Sequence, residues 1–161
     1  PQVPTVIVLH GALVSAESTV GWYGFGGAAR RRGFAAVFPR GIDLQWNDGR
    51  SAVWASEADD VGFLRRLARL VVARGTADSA RLYLVGVSNG GMMALRLLCE
   101  ASEPFAGVGL IIASMPTEVG AGCRLRRPMP VIMFNGTADT LIPISCPCFS
   151  VREPPRCRRP T

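Results

Sequence analysis

Apolar residues along the chain gather into five short runs that are rich in valine, isoleucine and leucine. Most of these runs are continuous instead of alternating between apolar and polar positions. A continuous run indicates a strand buried on both faces of a parallel sheet, because a strand with one solvated face would alternate. The five predicted strands are 5–9, 35–38, 82–87, 108–113 and 131–134.

Between these runs, apolar residues recur at the spacing that is typical of a helix. Residues 55–75 repeat apolar positions at intervals of three and four, with arginines on the opposite side, and Gly75 is suited to end a helix there. Two further helices are expected, over residues 18–32 before Gly33 and over residues 91–99 directly after the third strand. The alternation of strands and helices predicts one α/β domain with a mostly parallel, doubly wound sheet.

The composition changes near Ile144. Residues 145–161 contain four prolines, four arginines and three cysteines, and they show no periodicity of either kind. Because proline is excluded from the interior of a regular helix or a central strand, we expect this segment to be irregular. The predicted organisation is therefore a core domain over residues 1–144, followed by an irregular tail at 145–161.

The net charge of +6 does not indicate a nucleic-acid partner. All 18 basic residues are arginine, and the tail alone contributes half of the net charge. The other arginines are scattered, with residues 30–32 as the only run, and no aromatic residues interleave with them. No apolar stretch reaches the roughly 18 residues that a membrane-spanning helix needs, so no membrane partner is predicted.

The five cysteines do not form the pattern of a metal site. Cys146 and Cys148 are separated by a single residue, and no second pair of cysteines or histidines completes a set of four ligands. We therefore predict no bound metal. A disulfide between Cys99 and Cys123 is compatible with the sequence, which leaves the pairing open.

The clearest chemical signal is the segment 82–91, where an apolar run ends in Gly-x-Ser-x-Gly with Ser88 at its centre. This pattern is typical of the nucleophile elbow of serine hydrolases, in which a strand turns sharply into a helix and presents the serine hydroxyl. Gly86 and Gly90 permit the close backbone approach that such a turn requires. The backbone N–H of Asn89, where the next helix starts, is suited to stabilise an oxyanion.

A second signal follows the first predicted strand, where His10, Gly11 and Ala12 stand in sequence. A His-Gly pair at this position suits the loop that donates the other N–H group of an oxyanion hole, here from Ala12 or Leu13. The alternative is that His10, the only histidine in the chain, acts as the general base. The order serine, acid, histidine in hydrolases of this kind argues against it, since His10 precedes Ser88.

Asp139 lies just past the last predicted strand, in the segment Asn-Gly-Thr-Ala-Asp. An acid that follows the strand after the elbow unit is suited to orient a catalytic histidine and to stabilise its imidazolium. An aspartate that caps a helix or a turn is the alternative for a lone residue of this type. The position favours the catalytic role.

Five motifs, taken in order, resemble the α/β-hydrolase group of polyhydroxybutyrate depolymerases and feruloyl or acetylxylan esterases, similar to carbohydrate esterase family 1. The resemblance covers residues 5 to about 143 and implies an α/β-hydrolase fold. The motifs are Leu9-His10-Gly11, Trp46-Asn47-Asp48-Gly49-Arg50, Asp59-Asp60-Val61-Gly62-Phe63-Leu64, Gly86-Val87-Ser88-Asn89-Gly90-Gly91-Met92 and Asn135-Gly136-Thr137-Ala138-Asp139.

Roles for individual residues follow from this resemblance. It implies that Ser88 is the nucleophile, that Asp139 is the acid of the triad and that His10 and Gly11 form the oxyanion loop. It also implies that Trp46 lies near the substrate cleft, whereas the acidic pair at 59–60 is structural, at the start of a helix.

The chain departs from this group at its C-terminal end. The group's catalytic histidine lies after a further strand, several tens of residues beyond the acid, but only 22 residues follow Asp139 and none is histidine. We therefore expect a C-terminally truncated or frameshifted chain that lacks the last strand and helix. One sheet edge should then be unprotected.

The sequence as a whole predicts a serine carboxylic ester hydrolase that acts through an acyl-serine intermediate on a small or polymeric ester and needs no cofactor. The resemblance leaves open whether the ester is a polyhydroxyalkanoate or a feruloyl or acetyl sugar. The alternative is a catalytically silent fragment or pseudoenzyme without the triad histidine. A secreted or periplasmic location is favoured by the resemblance only, and the oligomeric state is left open.

Overall fold

The computed structural model describes residues 2–51, 56–142 and 148–149. Its strands are β1 (Val3–Leu9), β2 (Ala35–Val37), β3 (Ala77–Val87), β4 (Gly107–Ile111), β5 (Met115–Pro116), β6 (Val131–Phe134) and β7 (Cys148–Phe149). Its helices are α1 (Ala16–Trp22), α2 (Phe25–Arg32), α3 (Asp60–Ala73), α4 (Asn89–Ala101) and α5 (Thr117–Gly122), with a short 3₁₀ turn at Ile42–Leu44.

Five strands form a sheet in the order β2-β1-β3-β4-β6, and every neighbouring pair is parallel. This confirms the doubly wound parallel sheet that the continuous apolar runs predicted. The third strand is longer than predicted, because it begins at Ala77 instead of residue 82. Its first residue, Ala77, pairs with Val3, and the register then shifts so that Thr5 pairs with Leu82.

The order of the strands determines where the helices lie. The chain moves from β1 to β2 in one direction and from β2 through β3 and β4 to β6 in the other. Because parallel crossovers are right-handed, the two directions place their helices on opposite faces of the sheet. Accordingly α3 and α4 pack against β3 and against each other, whereas α2 contacts β2.

Two of the predicted helices differ in their bounds from those in the structure. The segment predicted as one helix over 18–32 forms α1 and α2, because the chain between them passes through Gly24 with a φ of 69°. Helix α3 begins only at Asp60, where the carboxylate of Asp59 accepts a hydrogen bond from the N–H of Gly62 at 2.8 Å. The predicted start of that helix, at residue 55, lies outside the described residues.

The core lies between the sheet and the pair α3 and α4. Helix α4 is buried along most of its length, from Gly91 to Leu98, and α3 contributes Leu64 and Ala68. A disulfide joins Cys99 of α4 to Cys123, directly after α5, so the pairing that the sequence left open is formed.

Most of the predicted irregular tail lies outside the described residues. The exception is Cys148–Phe149, which forms the short strand β7 and pairs in parallel with Met115–Pro116. The division of the chain at residue 144 and the irregular backbone of the tail as a whole stay predictions.

Strand β6 forms one edge of the five-stranded sheet. All four of its residues are exposed although all are apolar, with exposed fractions from 46% for Met133 to 59% for Phe134. Beside it, the sheet face opposite α3 and α4 carries a shallow apolar depression of about 400 Å³. Within the described part of the chain, no helix is both long and apolar enough to cross a membrane.

Candidate active site

The candidate site lies at the carboxyl ends of β1 and β3. These two strands are neighbours, but the chain leaves β1 toward β2 on one side and leaves β3 toward β4 on the other. In open α/β sheets the crevice outside such a reversal point is where ligands bind. The loop after β1 begins at His10 and the turn after β3 contains Ser88, so the topology brings the two predicted motifs together.

Ser88 occupies a strained turn between β3 and α4. Its φ of 52° and ψ of −120° are rarely adopted by a residue with a side chain. The backbone fixes the turn from both sides: the N–H of Ser88 donates to the carbonyl of Ile111 in β4, and its carbonyl accepts from the N–H of Met92, both at 2.9 Å. A half-buried serine is therefore held at the top of the sheet by main-chain bonds alone.

The glycines around Ser88 are required by the close approach of backbone segments. A methyl group on Gly86 would lie 2.2 Å from the carbonyl oxygen of Gly90. One on Gly90 would lie 2.4 Å from the carbonyl oxygen of His10, which is part of the neighbouring loop. The pattern of glycines in the sequence thus reflects contacts both within the elbow and between the elbow and the loop after β1.

The loop after β1 passes directly beside the nucleophile. A methyl group on Gly11 would lie 3.6 Å from Cβ of Ser88, so only glycine leaves the space between them open. The N–H of Leu13 is already used, because it donates to the carbonyl of Leu44 at 2.9 Å. Of the two N–H groups that the sequence offered for the oxyanion hole, the one from Ala12 is therefore the better candidate.

His10 is fully buried and both of its ring nitrogens have partners. The N–H of Gly41 donates to Nε2 at 3.0 Å, so the ring proton is on Nδ1. Nδ1 in turn donates to the carbonyl oxygen of Gly11 at 2.9 Å. Burial lowers the pKa of His10 below its usual 6.5, although the bond to Gly11 opposes that effect. The geometry favours a neutral imidazole that holds the loop and argues against a general base.

Trp46 lies beneath the same loop, with only 1% of its surface exposed. Its indole N–H donates to the carbonyl of His10 at 3.0 Å, and its ring centroid lies 4.9 Å from that of His10. The resemblance implied a position near the substrate cleft. This burial argues against contact between the indole and a ligand, because the side chain is covered by the loop that it supports.

A buried hydrogen-bond network behind the elbow was not anticipated from the sequence. The side-chain Oδ1 of Asn89 accepts from the backbone N–H of Trp46 at 2.8 Å, and its Nδ2 donates to the carbonyl of Trp46 at 3.0 Å and to Asp48 at 2.6 Å. Asp48 also binds Nε and Nη2 of Arg50, at 2.9 and 2.6 Å. The start of α4 is thereby fixed to the segment 46–50.

The same segment is tied to α3 and to the middle of α4. The N–H of Asn47 donates to the carboxylate of Asp60 at 2.7 Å, and Arg96 donates to the side chain and the carbonyl of Asn47, at 2.6 and 2.9 Å. Burial raises the pKa of Asp60 above its usual 3.8, against the lowering effect of the Asn47 bond. These contacts link the second and third motifs to the elbow.

Asp139 lies in a turn beyond β6. Its Oδ1 accepts hydrogen bonds from the N–H groups of Leu141 and Ile142, at 2.8 and 2.9 Å. Nearby, Asn135 joins the ends of β4 and β6, because its side chain exchanges two hydrogen bonds with the backbone of Ala113. The bonds of Asp139 are those of a turn aspartate, and its role as the acid of a triad stays a prediction.

An open cavity of about 510 Å³ lies at the carboxyl ends of β4 and β6. It adjoins the elbow, since Ile111 is one of its lining residues and also accepts the hydrogen bond from the Ser88 N–H. Its lining is mostly apolar and consists of Ile111, Ile112, Met133, Phe134, Asn135 and Gly136. Within the described residues, no cluster of three or more side chains could hold a metal ion.

Comparison with known proteins shows which proteins the chain resembles in sequence. No family model matches the chain. It is 34% identical over 142 residues to NocK of Nocardia uniformis subsp. tsuyamanensis, described as an esterase, and this match covers 87% of the chain and 41% of NocK. It is 29% identical over 99 residues to feruloyl esterase B of Piromyces equi, covering 60% of the chain and 18% of that protein. The chain thus spans about two fifths or less of these relatives.

Solved structures share the fold. The native structure of sOPH superposes with a TM-score of 0.67 at 22% identity, covering 87% of the chain and 60% of sOPH. Esterase PE8 superposes with a TM-score of 0.63 at 20% identity, covering 89% of the chain and 75% of PE8.

The chain has the α/β-hydrolase fold. By sequence it is similar to proteins named as esterases, among them a feruloyl esterase. The relationship that the five motifs predicted is therefore confirmed at the level of the esterase group.

Proposed function

We propose that this chain supplies the nucleophile and the oxyanion hole of a serine carboxylic ester hydrolase that works through an acyl-serine intermediate. The observation that carries the proposal is the strained Ser88 at the start of α4, directly beside Gly11 of the loop after β1. Strain of this kind persists only where the surrounding structure imposes it, and it concentrates at catalytic positions.

In the proposed reaction, Oγ of Ser88 bonds to the ester carbonyl carbon, and the carbonyl oxygen takes the electron pair of the C=O double bond. The N–H of Asn89, the first residue of α4, has no acceptor within its own helix and carries the positive end of the helix dipole. Together with the N–H of Ala12 it would stabilise the oxyanion. The C–O bond to the alcohol then breaks, and water later hydrolyses the acyl-serine.

Proton transfer is the weak step for this chain. The only histidine, His10, has both ring nitrogens engaged, so it cannot take the proton from Ser88. Asp139 would serve as the acid only for a histidine that these 161 residues do not contain. Without that base the Ser88 proton passes to water or hydroxide, and the remaining acceleration is that of the oxyanion hole and binding, about 10³ to 10⁴-fold over water.

The substrate class is a carboxylic ester with an apolar part next to the carbonyl group. The apolar cavity beside Ile111 and Ile112 suits such a part. Feruloyl esters are included because one relative is named as a feruloyl esterase, and polymeric esters are included because the motifs resemble those of the polyhydroxybutyrate depolymerases. No nucleic acid or membrane is proposed as a partner.

A secreted or periplasmic location and a catalytic unit over residues 1–144 belong to the same proposal. The disulfide between Cys99 and Cys123 supports the location, since disulfides persist in oxidising compartments. The second candidate function is a catalytically silent chain. It is favoured by one observation, the engagement of both nitrogens of the single histidine.

Hydrolysis of p-nitrophenyl acetate by the purified chain and by Ser88→Ala tests the proposal. We expect a low but measurable rate for the wild type that is lost in Ser88→Ala, together with an acetyl group on Ser88 in the intact mass of the wild type. His10→Gln is the matched control, and it should retain the Ser88-dependent rate. Equal rates for wild type and Ser88→Ala, without an adduct, would establish the silent chain instead.

A further inference from the structure

We propose that Tyr23 is a third hydrogen-bond donor to the substrate oxygen at Ser88, in addition to the two backbone N–H groups. The proposal rests on the proposed ester hydrolase function and adds a catalytic side chain to it. Neither the elbow motif nor the loop motif includes this tyrosine, which lies at the end of α1.

The position of Gly11 relates Tyr23 to the nucleophile. The point at which a methyl group on Gly11 would lie is 3.6 Å from Cβ of Ser88 and 3.7 Å from Oη of Tyr23. Both side chains therefore border the same small space, which is open because residue 11 has no side chain. In the proposed complex, the carbonyl group attacked by Ser88 lies over Gly11, and its oxygen then comes within reach of the phenol hydroxyl.

The phenol hydroxyl is available for such a contact. Within the described part of the chain, Oη of Tyr23 makes no hydrogen bond, although the residue is half-buried. Oη is not among the fully buried atoms, so water can pair with it in the free protein, and a ligand oxygen can replace that water as its partner. The oxygen of a bound ester would supply that partner, and the bond becomes stronger when the oxygen acquires negative charge.

The backbone holds Tyr23 in place. Its N–H donates to the carbonyl of Thr19 at 3.3 Å and ends α1, and Gly24 then turns the chain into α2 with its φ of 69°. At the other end of α1, the hydroxyl of Ser15 accepts from the N–H of Ser18 at 3.1 Å. A donor fixed in this way needs little rearrangement as the oxyanion forms, which is the condition for electrostatic stabilisation of a transition state.

The proposed contact adds a hydrogen bond to the acylation step and transfers no further atom or electron. Oγ of Ser88 bonds to the carbonyl carbon, the C=O electron pair moves to oxygen, and the hydroxyl of Tyr23 donates a hydrogen bond without giving up its proton. When the tetrahedral intermediate collapses, the C–O bond to the alcohol breaks and the contact to Tyr23 weakens again. Because the chain lacks a histidine base, stabilisation of the oxyanion is the main source of its rate.

The chain contains two tyrosines, which provides a matched pair of variants. Tyr23→Phe removes the proposed donor, whereas Tyr83→Phe removes the same phenol hydroxyl at a position on the open sheet face. We measure acylation of Ser88 by p-nitrophenyl acetate in single turnover, with the melting temperature as the measure of folding. Loss of one oxyanion donor should slow acylation by about 100-fold in Tyr23→Phe, with little change in the ester concentration needed for half-saturation. Tyr83→Phe should match the wild type.

A thionoester of the same acyl group separates a direct contact from an indirect one. Sulfur accepts hydrogen bonds weakly, so the effect of Tyr23→Phe should shrink when the carbonyl oxygen is replaced by sulfur. Equal slowing of both esters would show that Tyr23 acts only by shaping the site, and acylation of Tyr23→Phe at the wild-type rate would also overturn the proposal. If wild type and Ser88→Ala are equally unreactive, the ester hydrolase function itself fails, which is a distinguishable result.

Discussion

The side-chain amide of Asn89 forms two hydrogen bonds with the backbone of Trp46, one to its N–H and one to its carbonyl. Oδ1 accepts the N–H of Trp46 at 2.8 Å and Nδ2 donates to its carbonyl at 3.0 Å. All of these groups are buried, and the same Nδ2 also binds Asp48. The first residue of the elbow helix is thereby anchored to a loop 43 positions earlier in the chain.

Asn89→Ala should therefore lower the stability of the fold substantially. It leaves the buried N–H of Trp46 without a partner, and such a group costs about 1 to 3 kcal/mol. It also removes one donor each from the Trp46 carbonyl, which keeps the N–H of Asp48, and from the Asp48 carboxylate, which keeps Arg50. We expect a loss of about 3 kcal/mol in the free energy of unfolding, measured by urea denaturation.

Asn135→Ala is the matched comparison for that variant. Asn135 exchanges the same two hydrogen bonds with the backbone of Ala113, but it is only half-buried. Water can replace part of what is lost, so we expect about 1 kcal/mol. Equal losses at the two positions would contradict the view that burial of the network determines its contribution.

Gly11→Ala and Gly90→Ala should separate activity from stability. A methyl group on Gly11 meets its neighbours at 3.6 to 3.7 Å, which is ordinary contact, and its φ is not in the left-handed region. We expect the stability to be unchanged or raised by up to about 1 kcal/mol. Acylation of Ser88 should nevertheless fall by about 100-fold, because the methyl group fills the space in which the ester must bind.

Gly90→Ala should have the opposite profile. Its methyl group would meet the carbonyl oxygens of His10 and Leu9 at 2.4 and 2.7 Å, and backbone atoms cannot move aside cheaply. We expect a loss of about 3 kcal/mol or more in urea denaturation. A normal urea midpoint for Gly90→Ala would show that the loop after β1 does not lie against the elbow as described.

Ser88→Gly should stabilise the protein relative to Ser88→Ala. Alanine keeps the unfavourable φ of 52° and ψ of −120°, whereas glycine adopts that region freely. The strain of such a residue is about 1 to 3 kcal/mol, and the greater flexibility of unfolded glycine offsets part of it. We expect a net gain of about 1 kcal/mol by calorimetry. If Ser88→Gly is the less stable of the two, the backbone at Ser88 is not strained.

The lowered pKa of His10 should make the free energy of unfolding depend on pH. Burial lowers its pKa in the folded protein below 6.5, so the unfolded chain binds more protons as the pH falls below that value. The free energy of unfolding should then decrease as the pH is lowered from 7 to 5, by no more than about 1.4 kcal/mol per pH unit for one proton.

His10→Gln isolates this contribution, because glutamine can still accept from Gly41 and donate to Gly11 without titrating. Asp60, whose raised pKa contributes a slope of opposite sign, is present in both proteins, so the difference contains the titration of His10 and its electrostatic interaction with Asp60. Parallel curves of unfolding free energy against pH for wild type and His10→Gln would mean that His10 does not titrate in either state over this range.

Reduction of the disulfide should destabilise the fold without directly altering the site. Cys99 and Cys123 close a loop with a sequence separation of 24, for which the stabilisation is about 3 kcal/mol. We expect dithiothreitol to lower the urea midpoint of the wild type accordingly. The double variant Cys99→Ala and Cys123→Ala should already have the lower midpoint and should not respond to dithiothreitol.

The sequence predicted the sheet well because strands buried on both faces leave continuous apolar runs. It did not predict the first part of β3, since residues 77–81 are mostly small or polar and only Ala77 among them pairs with β1. It also merged α1 with α2, because Gly24 within a helical pattern can be tolerated and only the fold shows that the chain turns there.

Within the site, the elbow was predictable because its glycines and serine stand together in one short motif, although Gly90 is required by the loop after β1 as well. The environment of Trp46 was not, since a motif indicates that a residue matters without showing whether it faces a ligand or the core. The network of Asn89 with residues 46–50 joins segments 41 to 43 positions apart, and no local pattern predicts such a pairing. Tyr23 was missed because it belongs to neither motif.

Strand β6 hydrogen-bonds to β4 along one side only, and its outer side carries no strand among the described residues. With four exposed apolar side chains, that outer side is a template on which a sheet can continue to grow. An extended apolar segment that meets this edge, from another copy of the chain or from a different protein, would pair with the same row of backbone N–H and C=O groups.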